Sequence, residues 1–161
     1  MNNSNVDSSI ILPVLKQIPL FSGLDETAHK EIITRIVMMY YPANYQLFNE
    51  GAEGDALYIV KKGQIQIYHE PKEEGDLPQK VAVISDNGFF GEMALISDQP
   101  RNASAKAITD CEVFILSKED FKKLLENNTV LAEQISAAVI DRIKQNDQTK
   151  YILEMFEYNL T

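Results

Sequence analysis

The chain has no tryptophan, a single cysteine and two histidines, and each shortage removes a class of chemistry. Cys111, alone, cannot close an intramolecular disulfide, which fits a reducing compartment. His29 and His69 are too few for a histidine-built metal centre, which needs several convergent donors. Neither stands near a serine in a nucleophile–base pattern. Basic residues are also scarce: 15 Lys and Arg against 24 Asp and Glu, a formal net charge of −9. No basic face for DNA or RNA is evident, and anionic membranes are disfavoured. No apolar run approaches the ~18 residues of a membrane span. Met1-Asn2-Asn3-Ser4-Asn5 lacks the basic start of a signal peptide. The expectation is a cytoplasmic protein with no nucleic-acid or membrane partner and no metal. Within 161 residues, 45 % are hydrophobic, enough for one domain with an ordinary core.

Residues 1–9 are polar and read as a flexible N-terminus. Ile10–Ile18 predicts a short helix closed by Pro19. Ser22 and Asp25, spaced as a capping box, predict a second helix start. Leu24, Ala28, Ile32 and Ile36 recur four apart, so that helix buries one stripe. From Val37 to about Leu116 the texture changes to short β-branched and aromatic runs punctuated by glycine. These are Tyr45–Phe48, Ala56–Val60, Gln64–Tyr68, Val81–Ile84, Ala103–Ile108 and Val113–Leu116. Such spacing predicts a β-roll or jelly roll, with Pro71–Pro78 as an acidic, solvated hairpin loop. Ser117 opens a third helix, with Phe121, Leu124 and Leu125 as its stripe. Asn128 is placed to cap a fourth, with Leu131, Ile135, Ala138, Val139 and Ile143 at helical spacing. Tyr151, Ile152, Leu153, Met155, Phe156 and Tyr158 form a last apolar cluster that needs a covering surface.

Residues 90–107 carry the chemistry: Phe90-Gly91-Glu92-Met93-Ala94-Leu95 leads to Pro100-Arg101 and then a small-residue strand through Asn102, Ala103 and Ser104. A glycine-led helical turn presents backbone N–H groups that suit a phosphate. Arg101 offers a planar fork of donors to the same oxygens. Glu92 would repel a phosphate unless it accepted from a donor beside it, such as a ribose hydroxyl. Ser104 reads as a strand residue facing the pocket or solvent.

This constellation resembles the cyclic nucleotide-binding domain family. The resemblance extends over roughly residues 18–126, from Ile18-Pro19-Leu20-Phe21-Ser22-Gly23-Leu24, through Gly51-Ala52-Glu53-Gly54-Asp55-Ala56-Leu57-Tyr58-Ile59-Val60 and Gly63, to the phosphate-binding cassette Phe90–Leu95 with Pro100-Arg101. It implies a mainly β fold: an eight-stranded antiparallel β-roll flanked by N-terminal and C-terminal helices. It divides the chain into 1–9, a nucleotide-binding roll with its helices at 10–126, and a lid or dimerisation helix with tail at 127–161. It further implies that Glu92 accepts the ribose 2′-OH, that Arg101 pairs with the cyclic phosphate, and that backbone N–H groups of Gly91, Glu92, Met93 and Ala94 complete the cradle beside Asn102 and Ala103. Ala82 and Ile84 stand where the family places walls for the base.

Family members commonly fold a C-terminal helix over the base. Tyr151, Ile152 and Phe156 are candidates here; the alternative is packing on another subunit or on the N-terminal helix. Asn102 stands where the family has Ala, Ser or Thr, and Thr is associated with guanine preference. Asn102 could bond the phosphate, the guanine amino group or only its own backbone, which leaves cAMP slightly ahead of cGMP. The expected function is a non-catalytic sensor that repositions its C-terminal helix for a protein effector in trans. The competing reading is a dimerisation protein that keeps the roll and ignores nucleotides. A cupin-like enzyme would need a His/Glu cluster on neighbouring strands, which the sequence lacks.

Overall fold

Two strands organise the molecule because their side chains alternate between two cores. The computed structural model describes residues 8–144. In it, β3 (Ala56–Lys62) and β8 (Cys111–Ser117) pair antiparallel, Leu57 opposite Leu116 and Ile59 opposite Phe114. Those four face a core roofed by helices. Ala56, Tyr58, Val60, Cys111, Val113 and Ile115 point the other way, into a second core. This is the period-2 alternation of a strand buried on both faces.

The strand β1 (Val37–Tyr41) adds to the free side of β8, and β6 (Phe89–Phe90) to β3, giving the order β1-β8-β3-β6. The second sheet runs β2 (Gln46–Phe48), β7 (Ser104–Ala107), β4 (Ile65–His69), β5 (Gln79–Ile84). Every strand pair is antiparallel. Chain neighbours such as β1 and β2 lie in different sheets, so the two four-stranded sheets form the expected β-roll.

The helical roof comprises α1 (Ser8–Leu15), α2 (Glu26–Ile33), α3 (Lys118–Glu126) and α4 (Thr129–Lys144). Ile11, Leu15, Ile18, Phe21, Ile32, Ile36 and Phe121 are fully buried beneath it. Leu24, Ala28, Ile32 and Ile36 are all buried, as their spacing predicts. The cap of α2 differs from the expectation. Asp25 is the N-cap, its Oδ1 accepting from Ala28 N at 2.8 Å, and Ser22 Oγ instead donates to Pro19 O at 3.2 Å. A carboxylate one residue before Glu26 satisfies the first-turn N–H directly, so the serine is spent in the preceding turn. Ser117 and Asn128 cap as expected, accepting from Asp120 N at 3.1 Å and Leu131 N at 3.0 Å. α1 begins at Ser8, and turn bonds after Leu15 carry the chain to Ile18. Among the described residues no helix is long and apolar enough to cross a membrane.

Candidate functional site

The site is built where β6 turns into a short 3₁₀ helix, Glu92–Leu95. Gly91 makes that turn at φ +81°, in the left-handed region. A Cβ there would lie 2.8 Å from Ala56 O and 2.8 Å from Arg101 Nη1. Both the backbone conformation and the close approach therefore demand glycine. The same contact brings the Arg101 guanidinium against the cassette. Ala94 N closes the turn on Gly91 O at 3.1 Å, so this N–H, expected to face a ligand, is used internally. Gly54 packs on the other side of the cassette, its absent Cβ lying 3.0 Å from Gln99 O and 3.2 Å from Ala94 Cβ.

Arg101 is anchored by backbone bonds to both sides of the Gly51 turn: its N donates to Ala52 O and its O accepts from Gly51 N, each at 2.7 Å. The side chain enters the roll and is only 6 % exposed. Its Cζ lies 4.2 Å over the Phe48 ring and 5.5 Å from that of Tyr58, within cation–π range. Nη2 donates to Asp55 Oδ1 at 3.2 Å and to Ala56 O at 3.1 Å. Nε is buried with no hydrogen-bond partner. Burial pushes the Tyr58 hydroxyl pKa up and Asp55 adds to this, while Arg101 pulls it back.

Glu92 is buried, and Leu20 N donates to its Oε2 at 3.5 Å. The guanidinium meets the cassette at Gly91, while the Glu92 carboxylate accepts from Leu20 N in the segment between α1 and α2. Met93 is half-buried, Ala94 and Ala103 are buried, and Asn102 is exposed. Ser104 is fully buried: its Oγ accepts from Glu50 N at 2.8 Å and donates to Glu70 Oε1 at 2.7 Å. Ala82 and Ile84 share a face of β5, opposite Ile67 and Ile65, and Ile84 packs on the roll core with Phe48 and Phe90. Tyr151, Ile152 and Phe156 lie outside the described residues.

A cavity of about 820 Å³ opens beside Arg101 and Asn102, walled by Glu50, His69, Glu70 and Lys72 among others. Its size is that of a small-molecule site. Glu92, Ala82 and Ile84 do not line it. The sequence reading missed three residues that set the arginine. Phe48 lay in a recognised strand run, and Asp55 and Tyr58 lay in a recognised glycine-turned segment. Nothing in the linear pattern says that they converge on Arg101.

One link ties the cassette to α3, and a second ties α4 to the start of α2. Lys118, at the start of α3, donates from Nζ to Ser97 O and Asp98 Oδ1, both at 2.6 Å, and from its N–H to Asp55 O at 2.7 Å. The Lys118 ammonium holds the exposed Asp98 carboxyl below its usual pKa. α4 is fastened by Gln134, whose Nε2 donates to Asp25 Oδ2 at 2.8 Å and whose Oε1 accepts from Asp25 N at 3.2 Å.

Residues 38–128 match the family model of the cyclic nucleotide-binding domain. The cAMP-dependent protein kinase regulatory subunit of Aspergillus fumigatus is 37 % identical over 111 residues, 69 % of this chain and 26 % of that protein. The cyclic AMP receptor protein of Thermus thermophilus is 29 % identical over 133 residues, 83 % of this chain and 61 % of that one. The chain therefore spans about a quarter of the kinase subunit's length and about three fifths of the receptor's. Among solved structures, the N-terminal domain of a transcriptional regulator from Streptomyces coelicolor superposes with a TM-score of 0.72 at 26 % identity, covering 85 % of this chain and 94 % of its own. The catabolite activator protein of Thermus thermophilus gives 0.60 at 28 % identity, over 84 % and 63 %. The family match takes in every strand from Met38 onward and more than half of the sequence, and the chain belongs to the cyclic nucleotide-binding domain family.

Proposed function

We propose that this chain is a non-catalytic regulatory module that binds a cyclic nucleotide, cAMP in preference to cGMP. The observation that carries the reading is the buried Arg101 guanidinium, held against Gly91 with its Nε unpartnered. An orphaned buried donor costs about 1–3 kcal/mol, and a phosphate oxygen would relieve it. Its present charged partner is a weak competitor, because Asp55 is 74 % exposed and such pairs contribute only about 0–1 kcal/mol.

In this reading Arg101 pairs with the cyclic phosphate, and the N–H groups at Gly91–Met93 share the same oxygens. Glu92 accepts from the ribose 2′-OH; its negative charge suits a sugar donor and not a second anion. Asn102 and Ala103 flank the phosphate, and Ala82 with Ile84 covers the base. Two or three charge-assisted bonds at about 1.5–3 kcal/mol each total about 3–9 kcal/mol, most of that range below the roughly 8 kcal/mol of micromolar binding, and association itself costs several kcal/mol more. The base must therefore bury apolar surface as well. The cAMP preference is supported by the cAMP-named relatives and by the absence of a threonine after Arg101.

Signalling follows from the Lys118 link between the cassette and α3. A phosphate that draws Arg101 away from Asp55 disturbs the residue whose carbonyl holds Lys118 at the start of α3. α4, fastened by Gln134, is the element whose position reports the change, read by a protein effector in trans. A ligand moves such an equilibrium only through its different affinities for the two arrangements.

Isothermal titration with cAMP and with cGMP tests the proposal. Binding of cAMP at micromolar or tighter affinity is expected, weaker binding of cGMP, and about a tenfold loss for cAMP in Glu92→Gln, where the charge on one accepted hydrogen bond is removed. No heat and no thermal stabilisation with either nucleotide would overturn it.

A further inference from the structure

The hydrogen-bond ladder between β2 and β7 is broken next to the arginine. Phe48 still pairs with Ala105, after a shift of register, and pairing resumes only at the bridge between Glu53 and Pro100. Arg101 lies in the gap. Its backbone bonds to Gly51 N and Ala52 O close one end. A side chain closes the other: Ser104 Oγ accepts from Glu50 N at 2.8 Å, a role that a backbone carbonyl fills in an intact ladder.

That hydroxyl belongs to a closed ring. Ser104 Oγ donates in turn to Glu70 Oε1 at 2.7 Å, and Glu70 N donates to Glu50 Oε1 at 2.8 Å. Each of the three residues gives one hydrogen bond to the ring and receives one. The ring joins the chain just after β2, the chain just after β4 and the start of β7. Ser104 is fully buried, so solvent cannot replace a partner it loses.

Charge makes the two carboxylates a puzzle that the ring resolves. Glu50, Glu70 and Arg101 all line the cavity of about 820 Å³. Acids beside an anion site repel the anion. In the ring both serve as acceptors, and they fix the turn Glu50-Gly51-Ala52 to which the Arg101 backbone is bonded. We propose that Ser104 and Glu70 are positioning residues for the phosphate site. They touch no ligand; they hold the Gly51 turn, and through it Arg101, in the register that sets the guanidinium against Gly91. The proposal rests on the reading of Arg101 as the partner of the phosphate.

Titration of the full chain with cAMP tests it through two variants of equal charge. Glu70→Gln keeps an oxygen for the Ser104 hydroxyl, and Glu70→Ala does not. Glu70 is exposed, so both variants are expected to fold. If its carboxylate acted on the site by charge alone, both would bind cAMP more tightly than the parent, and by the same factor. The ring predicts a split. Glu70→Gln is expected at or above the parent's affinity, and Glu70→Ala about three- to tenfold weaker than Glu70→Gln. Ser104→Ala, which changes no charge, is expected to lose a similar factor against the parent. Hydrogen exchange without nucleotide gives a second readout. The Gly51 amide is expected to exchange faster in both alanine variants and at the parental rate in Glu70→Gln, with the α3 amides unchanged in all three. Equal affinities in the two Glu70 variants, or a Gly51 amide that keeps its parental rate in both alanine variants, would overturn the proposal and leave the role of Arg101 standing. A parent that binds no cyclic nucleotide would overturn that role, and this proposal with it.

Discussion

The two cores share β3 and β8 but are made of different material. The helical core is large and apolar: Ile11, Leu15, Ile18, Phe21, Ile32, Phe114 and Phe121 are all at most 1 % exposed. Its buried polar residue His29 is satisfied by Phe21 O at 2.8 Å. The roll core is assembled from small residues, Ala56, Ala105 and Ala107, beside the rings of Phe48, Tyr58 and Phe90. The small side chains leave room, and Arg101 and Ser104 enter from the rim. One face of the shared sheet is packed for stability. The other stores a buried charge with an unsatisfied donor, which is poor for stability and useful for binding an anion.

The comparison can be broken most forcefully from the helical side. Phe121→Ala is expected to lose about 3–5 kcal/mol of unfolding free energy, read by urea denaturation. Its cAMP affinity, measured where the variant is still folded, is expected to stay near the parent's. Arg101→Met is the opposite probe, since methionine keeps an unbranched apolar stem over Phe48. Two charge-assisted bonds lost at about 1.5–3 kcal/mol each correspond to a fall in affinity of roughly a hundredfold or more. Stability is expected to change by less than about 1 kcal/mol, because replacing a buried charge by an apolar group is often neutral. A variant that unfolded as readily as Phe121→Ala would erase the distinction between the cores. Ser117→Ala removes the α3 cap and is expected to cost about 1 kcal/mol without changing nucleotide affinity, checked by thermal unfolding and titration.

The smallest effect is in acid. Asp25 is held below its ordinary pKa of 3.8 by the Ala28 N–H and Gln134, and Asp98 chiefly by Lys118. Each is more acidic when folded, so its stabilisation is complete above the unfolded pKa. It fades as pH falls through that value towards the folded one. Melting temperature followed down through this range is expected to fall less steeply in Asp25→Asn than in the parent.

Periodicity and caps made the helical half legible. The four-residue spacing of Leu24, Ala28, Ile32 and Ile36 shows directly which stripe is buried, and Ser117 and Asn128 have the chemistry of N-caps. The same rule misplaced the start of α2, because two plausible capping residues stood three apart and only the backbone geometry selects Asp25. β1 and β6 escaped the strand reading for different reasons. Val37-Met38-Met39-Tyr40-Tyr41 has no polar alternation because both faces lie at the edge of cover, and Phe89–Phe90 is too short to show a period. Gly91 was readable as a turn, and Glu92 and Arg101 as charges near it, because turn and charge chemistry is local. Phe48, Tyr58 and Asp55 were not, since their meeting with the guanidinium is a product of strand register between segments far apart in sequence.

The most direct measurement is the ¹⁵N resonance of Arg101 Nε, assigned by comparison with Arg101→Met, as cAMP is added. The Nε–H signal is expected to shift in step with saturation and its exchange with water to slow, as a phosphate oxygen occupies the donor that now has none. Saturable cAMP binding that left this resonance unmoved would contradict the pairing of Arg101 with the phosphate.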